Sequence, residues 1–351
     1  MTCTVSNAEE DPSFLLLVIR LVESSIALCC VLFSMLVTMC QIRAQLIWNS
    51  NLAMRKHVIR ILMMVPLYAF QCYLGLSLKD SSVFFDTLRE CYEAVVIYSF
   101  LGLIIGYLGG ERHVVYVMEN KPSEYVHHPH LLSICLGSKS KLGDEFYMFT
   151  KLGTLQYVIV KPVTALLTFA LDAINMYGEN GNPFRLDRGY IYVVAINTIS
   201  QALAIYCLLH FYHVMSKELE PLDFIPKALM LKAVIFFTYW QAIGIRLLYS
   251  VELFPSTLFN MSRESDLGRF IDLILCVEMS GFAVGQWFAW GTGNEFFNPE
   301  ESVSRPYGAS MLSAANLGDL WEDTKNAVEN GEVERLLGGS QEEPSVDLCE
   351  L

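Results

Sequence analysis

The sequence predicts an all-α polytopic membrane protein with seven transmembrane helices, its N-terminus outside or lumenal and its C-terminus cytosolic. Three observations predict it. Of 351 residues, 53% are hydrophobic and 17% charged, against about 25% charged in soluble domains. Apolar runs of roughly 20 residues recur, each long enough to cross a hydrocarbon core of about 30 Å. The loops between them alternate between rich and poor in Lys and Arg. Residues 1–13 then form a short outside segment, 14–291 the membrane domain, and 292–351 an acidic cytosolic tail, largely disordered by composition.

The apolar runs lie at roughly 14–40, 58–78, 83–108, 152–173, 190–213, 228–250 and 267–290. The first follows Glu9, Glu10 and Asp11 in place of a basic signal-peptide segment, so it is expected to stay as a span. The third carries Asp86, Arg89, Glu90 and Glu93 in its first half and is apolar from Ala94 to Leu108. The fourth holds Lys161-Pro162, a mid-span cation beside a residue that removes a backbone hydrogen bond. Loops 41–57, 109–151 and 214–227 hold 10 Lys/Arg and the opposite set holds 4, which sets the orientation by the positive-inside rule. In the tail, Leu317 to Leu337 has helical spacing.

The net charge of −13 is concentrated in the tail, where 13 acids and 3 basic residues give −10. The membrane domain is nearly neutral, so no clustered basic surface exists for phosphate recognition and nucleic acid is excluded as a partner. Most of the ten cysteines sit in or beside apolar runs and imply no disulfide framework. His113, His127, His128, His130 and Cys135 match no closed metal-site spacing. Intramembrane hydrolysis needs ligands converging from several helices, and the spans offer only His210 and His213. No enzyme, cofactor or metal is expected.

Charges within spans are costly, about 2.5–3.5 kcal/mol each at mid-helix on insertion scales, and usually face a bundle interior or a wet cavity. Arg20 and Glu23 share a helical face and can pair with each other. Asp86, Glu90 and Glu93 share one stripe, while Lys161, Asn197, Gln241 and Glu278 fall near mid-depth. Two readings fit these seven residues: a polar cavity for a solute, or internal ion pairs that hold the bundle together, Lys161 with Glu278 or Glu93 among them. Asn260-Met261-Ser262 is a glycosylation sequon on the expected outer side. Glu332, Leu336 and Leu337 form an acidic dileucine pattern that a cytosolic sorting adaptor would read.

The runs Gly153 to Val163, Ala204-Ile-Tyr206 with Phe211-Tyr212, Pro226-Lys227 with Leu231 to Gln241, and Cys276-Val-Glu-Met279 resemble the transmembrane protein 184 branch of the organic solute transporter alpha family. Arg55-Lys56-His57, Met64 to Tyr68 and Cys91-Tyr-Glu-Ala94 fit the same pattern, and the resemblance covers about residues 50–290. It implies seven helices, an outside N-terminus and carriage of an amphipathic small-molecule solute. A single-span partner subunit is the assembly it implies; a homo-oligomer is the alternative, and the expected location is a plasma or endosomal/vacuolar membrane. By analogy Glu93, Lys161, Gln241 and Glu278 are the family's polar positions. A cysteine cluster common in the family after the histidine-rich loop is reduced here to Cys135. The competing functions are a seven-helix receptor, suggested by Glu111-Arg112-His113 after the third span, and a trafficking or scaffold protein without transport activity. No Asn-Pro-x-x-Tyr run closes the seventh span, as receptors of that architecture have.

Overall fold

The computed structural model describes residues 12–49, 51–77, 82–121, 125–127, 139–177, 187–220, 224–250, 264–290, 312 and 315–329. The helices, in chain order, are α1 (Pro12–Trp48), α2 (Leu52–Leu62), α3 (Met64–Ser77), α4 (Ser82–Tyr107) and α5 (Glu111–Glu119). After them come α6 (Asp144–Ala173), α7 (Tyr190–Val214), α8 (Phe224–Phe236), a π-helical segment (Phe237–Gln241), α9 (Ala242–Ser250), α10 (Glu264–Ala289) and α11 (Gly318–Glu329). All seven expected spans are helical, with ends within about ten residues of the apolar runs. Lipid offers no hydrogen bonds, so a spanning backbone must satisfy its own, and a helix does so locally.

Among the described residues, four helical stretches are long and apolar enough to cross a membrane: Leu17–Ile47, Met54–Ser77, Asp144–Ala173 and Tyr190–Val214. A fifth arises if Thr87–Tyr107 and Glu111–Glu119, bent by 70°, count as one. Gly109 and Gly110 make that bend at φ 90° and 95°, a region closed to most side chains. Large apolar side chains point outward along the spans, with Leu36 66% and Ile199 70% exposed, as a lipid-facing surface requires. Residues 109–151, expected as a loop, instead contain α5, the start of α6 and a two-stranded antiparallel ladder. In it β1 (Tyr125–His127) pairs with β2 (Lys139–Lys141), Val126 opposite Ser140.

The chain forms two compact units. The first comprises residues 1–55, 59–93 and 221–307. In it α1 runs parallel to α10: Arg269 Nη2 pairs with Glu23 Oε2 at 3.2 Å, and Gln45 Nε2 donates to the Trp290 carbonyl at 3.3 Å. The sequence-based pairing of Glu23 with Arg20 gives way to Arg269, because Arg20 lies on the exposed side of α1 while Glu23 turns inward. α3 runs antiparallel to α10, with Arg269 Nη1 donating to the Leu76 carbonyl at 2.8 Å and the Cys276 thiol to that of Ala69 at 3.6 Å. Between α2 and α3 the helix is interrupted at Met63, where Pro66 has no N–H for the Leu62 carbonyl.

The second unit comprises residues 56–58, 94–220 and 308–351. Its centre is the antiparallel pair α6 and α7. Gly153 lets them approach until an added Cβ would collide with the Cys207 sulfur. Gln156 Nε2 donates to the Ser200 carbonyl at 2.8 Å, and the Ser200 hydroxyl donates to Gln156 Oε1 at 2.7 Å. Below α7, Lys121 Nζ pairs with Glu218 Oε2 at 2.9 Å. Burial is the largest influence and would raise the Glu218 carboxyl, but the hydrogen bond from Lys121, a backbone hydrogen bond and the charges of Lys121 and Lys217 together hold the group below its usual range.

Within the acidic tail, α11 docks on this unit. Leu320 is 5% exposed and packs on Tyr98 and Leu155. Asp319 pairs with Lys56 at 2.9 Å, the Tyr98 hydroxyl donates to Asp323 Oδ2 at 2.8 Å, and Lys151 Nζ lies 3.0 Å from Glu111 and 3.4 Å from Asp323.

Candidate functional site

α8, the π segment and α10 belong to the first unit, where they cross antiparallel. Met230 abuts Gly285, where an added Cβ would lie 2.6 Å from its methyl carbon. Further along, the Phe237 and Phe282 ring centroids are 5.7 Å apart. One turn beyond that, the Gln241 side chain hydrogen-bonds the Glu278 carboxylate. The π segment re-aims Gln241, because a wider turn rotates every following side chain relative to an α-helix. The Thr238 hydroxyl turns back on the Val234 and Ile235 carbonyls, each at 3.0 Å, the local back-bond of a helical threonine. Glu278 Oε2 and Gln241 Oε1 are buried without a hydrogen-bond partner.

They are not isolated. Among the described residues of this unit, Thr38 Oγ1 and both amide atoms of Gln41 on α1, Tyr68 Oη and Gln71 Oε1 on α3, and Gln286 Oε1 on α10 are also buried without a partner. The α1 members belong to a polar stripe, Ser34, Thr38, Gln41, Gln45 and Asn49, every one buried. Its spacing of three and four residues on an otherwise apolar helix is visible in the sequence, yet sequence reasoning that looked for charges passed over it. An unsatisfied polar group inside an apolar bundle costs roughly 1–3 kcal/mol, so this concentration is not what packing alone would select.

The residues expected to line a cavity divide between the units. Glu278 and Gln241 are brought together in the first. Glu90 and Glu93 stand on the part of α4 in that unit, Glu93 buried and Glu90 half-buried. Beside them the Arg89 guanidinium lies 6.0 Å from the Tyr68 ring centroid, and the Tyr92 hydroxyl donates to the Arg60 carbonyl at 2.7 Å. Asp86 is placed on α4 by its backbone. In the second unit Lys161 is buried, its ammonium 5.7 Å from the Tyr157 ring centroid. Pro162 sits within a continuous α6, and the Thr164 hydroxyl reaches both the Lys161 carbonyl at 3.0 Å and Asn197 Oδ1 at 2.8 Å. Asn260, Glu332, Leu336 and Leu337 lie outside the described residues.

The family described as Organic solute transporter Ostalpha matches residues 24–295. Protein LAZ1 homolog 2 of Arabidopsis thaliana is 31% identical over 327 residues, covering 87% of this chain and 75% of its own length. Protein LAZ1 homolog 1 of the same plant is 33% identical over 244 residues, covering 66% of this chain and 49% of its own length. No solved structure matches significantly. The family match runs from the body of α1 past the end of α10 and takes in most of the first expected span and all of the other six. The chain is a multi-pass membrane protein that belongs to the organic solute transporter Ostalpha family.

Proposed function

We propose that this chain is a seven-span carrier that moves an amphipathic organic solute through the polar interior of its first unit. Its N-terminus lies outside and its tail in the cytosol. The observation that carries the reading is the set of buried, unpartnered hydrogen-bonding atoms on α1, α3, the π segment and α10, with a carboxylate among them. In lipid such groups are retained where they serve transport or relay, and family membership supports an organic solute as the cargo. The parallel course of α1 and α10 supports the span count: two neighbouring spans run parallel only when an odd number of spans separates them, and seven spans place five between. Glu278 and Gln241 are the proposed solute contacts, with Glu90 and Glu93 supporting. Lys161 and Asn197 are candidates within their own unit.

The test is reconstitution in proteoliposomes with a panel of labelled amphipathic solutes. The expected result is saturable flux that falls about tenfold or more in Glu278→Gln, the scale of one lost charge-assisted hydrogen bond. A folded, correctly inserted protein that moves none of the panel saturably would overturn the reading, as would full activity in Glu278→Gln.

A further inference from the structure

The chemistry of the Gln241 and Glu278 pair specifies the solute's polar end. An ionised carboxylate only accepts hydrogen bonds, so Gln241 meets it through its NH2 group and its own carbonyl oxygen is left over. Glu278 Oε2 and Gln241 Oε1 are therefore two open acceptors on one hydrogen-bonded pair, both buried. Among the described residues, no cationic side chain forms an ion pair with Glu278. An ionised carboxylate in an apolar bundle is strongly disfavoured unless a positive charge compensates it.

Aromatic rings stand next to the pair, Phe237 partly on the outward side at 43% exposed. Phe237 precedes Gln241 by four residues and Phe282 follows Glu278 by four, so in this antiparallel crossing the ring contact and the polar contact are adjacent rungs, about 5–6 Å apart. A ring face attracts a cation and also packs against an apolar body. Two acceptors, one negative charge and an aromatic wall select a head that brings N–H donors and positive charge, and they disfavour an anion.

The geometry points to a solute with a cationic nitrogen head, a guanidinium or primary ammonium, that bridges Glu278 Oε2 and Gln241 Oε1 while its apolar body lies on Phe237 and Phe282. This rests on the transport reading above and narrows its substrate class.

The experiment uses the full-length protein in lipid nanodiscs and three probes of one shape: 4-phenylbutylguanidinium, the neutral 4-phenylbutylurea and the anionic 5-phenylpentanoate. Binding is measured by equilibrium dialysis, and flux of the same probes is followed in proteoliposomes. The guanidinium is expected to bind about tenfold or more tightly than the urea, and Glu278→Gln to remove that advantage while urea binding changes by less than about threefold. Gln241→Met, which keeps the volume but deletes the second acceptor, is expected to weaken the guanidinium severalfold, so the inference stands or falls even if Glu278→Gln does not fold. Equal binding of guanidinium and urea, preference for the carboxylate, or guanidinium binding indifferent to both substitutions would overturn the cationic head. So would Glu278-dependent stabilisation by sodium or potassium that the guanidinium does not compete away, which would assign the site to a free inorganic ion. Saturable flux of the urea or carboxylate in those cases would leave the transport reading standing. Tight guanidinium binding without flux of any amphiphile would keep the site and overturn transport.

Discussion

Replacing Leu320 by Ala is expected to release the tail helix from its unit. Leu320 is 5% exposed against Tyr98 and Leu155, with Val95, Leu152 and Val158 around them. Buried Leu→Ala substitutions cost about 2–5 kcal/mol, and the lower end applies because α11 can lift away and leave no sealed cavity. About 2 kcal/mol shifts the docked-to-undocked ratio roughly 30-fold. A 12-residue helix is marginal in water by itself, so the undocked tail should also lose its helix. Asp323→Asn adds a smaller effect by weakening the bonds from Tyr98 and Lys151. The assay is amide hydrogen exchange on the full chain in nanodiscs, where amides of α11 should lose protection by about 30-fold in Leu320→Ala. Trp321, 72% exposed on the same helix, is the control. Unchanged protection in Leu320→Ala, or an equal loss in Trp321→Ala, would refute the docking argument.

Gly153→Ala is expected to destabilise the protein by about 1–3 kcal/mol, because its methyl would overlap the Cys207 sulfur and force α6 from α7. Combining it with Cys207→Ala should recover most of the loss in detergent melting, and no recovery would place the strain elsewhere. The Glu218 carboxyl is held below its usual range in the fold. Its contribution is therefore complete above the ordinary carboxylate value of about 4.3 and fades as pH falls through the lower folded value. The melting temperature of Glu218→Gln should accordingly differ from that of the unmodified chain at neutral pH and converge with it under acid conditions. A constant gap across that range would contradict the assignment.

The helices themselves were legible in the sequence. The runs at 190–213 and 83–108 became Tyr190–Val214 and Ser82–Tyr107, because a long apolar stretch in lipid has one local way to satisfy its backbone. The polar stripe on α1 was legible too, at spacings of three and four. Partners were not. Glu23 has Arg20 three residues away, yet it pairs with Arg269, 246 positions along the chain, because the parallel register of α1 and α10 brings those side chains together. Likewise only the π segment, a one-residue change in winding, brings Gln241 to Glu278 one rung from Phe237 and Phe282. In the tail, the helical spacing from Leu317 onward is met by Gly318–Glu329, which Leu320 anchors through a contact with Tyr98 and Leu155 that composition does not encode. Periodicity and hydropathy are sums over neighbours in sequence, so they fix which segments are helical and which face is polar. Register between distant helices is decided by the packing of whole faces, and that exists only once the chain is assembled.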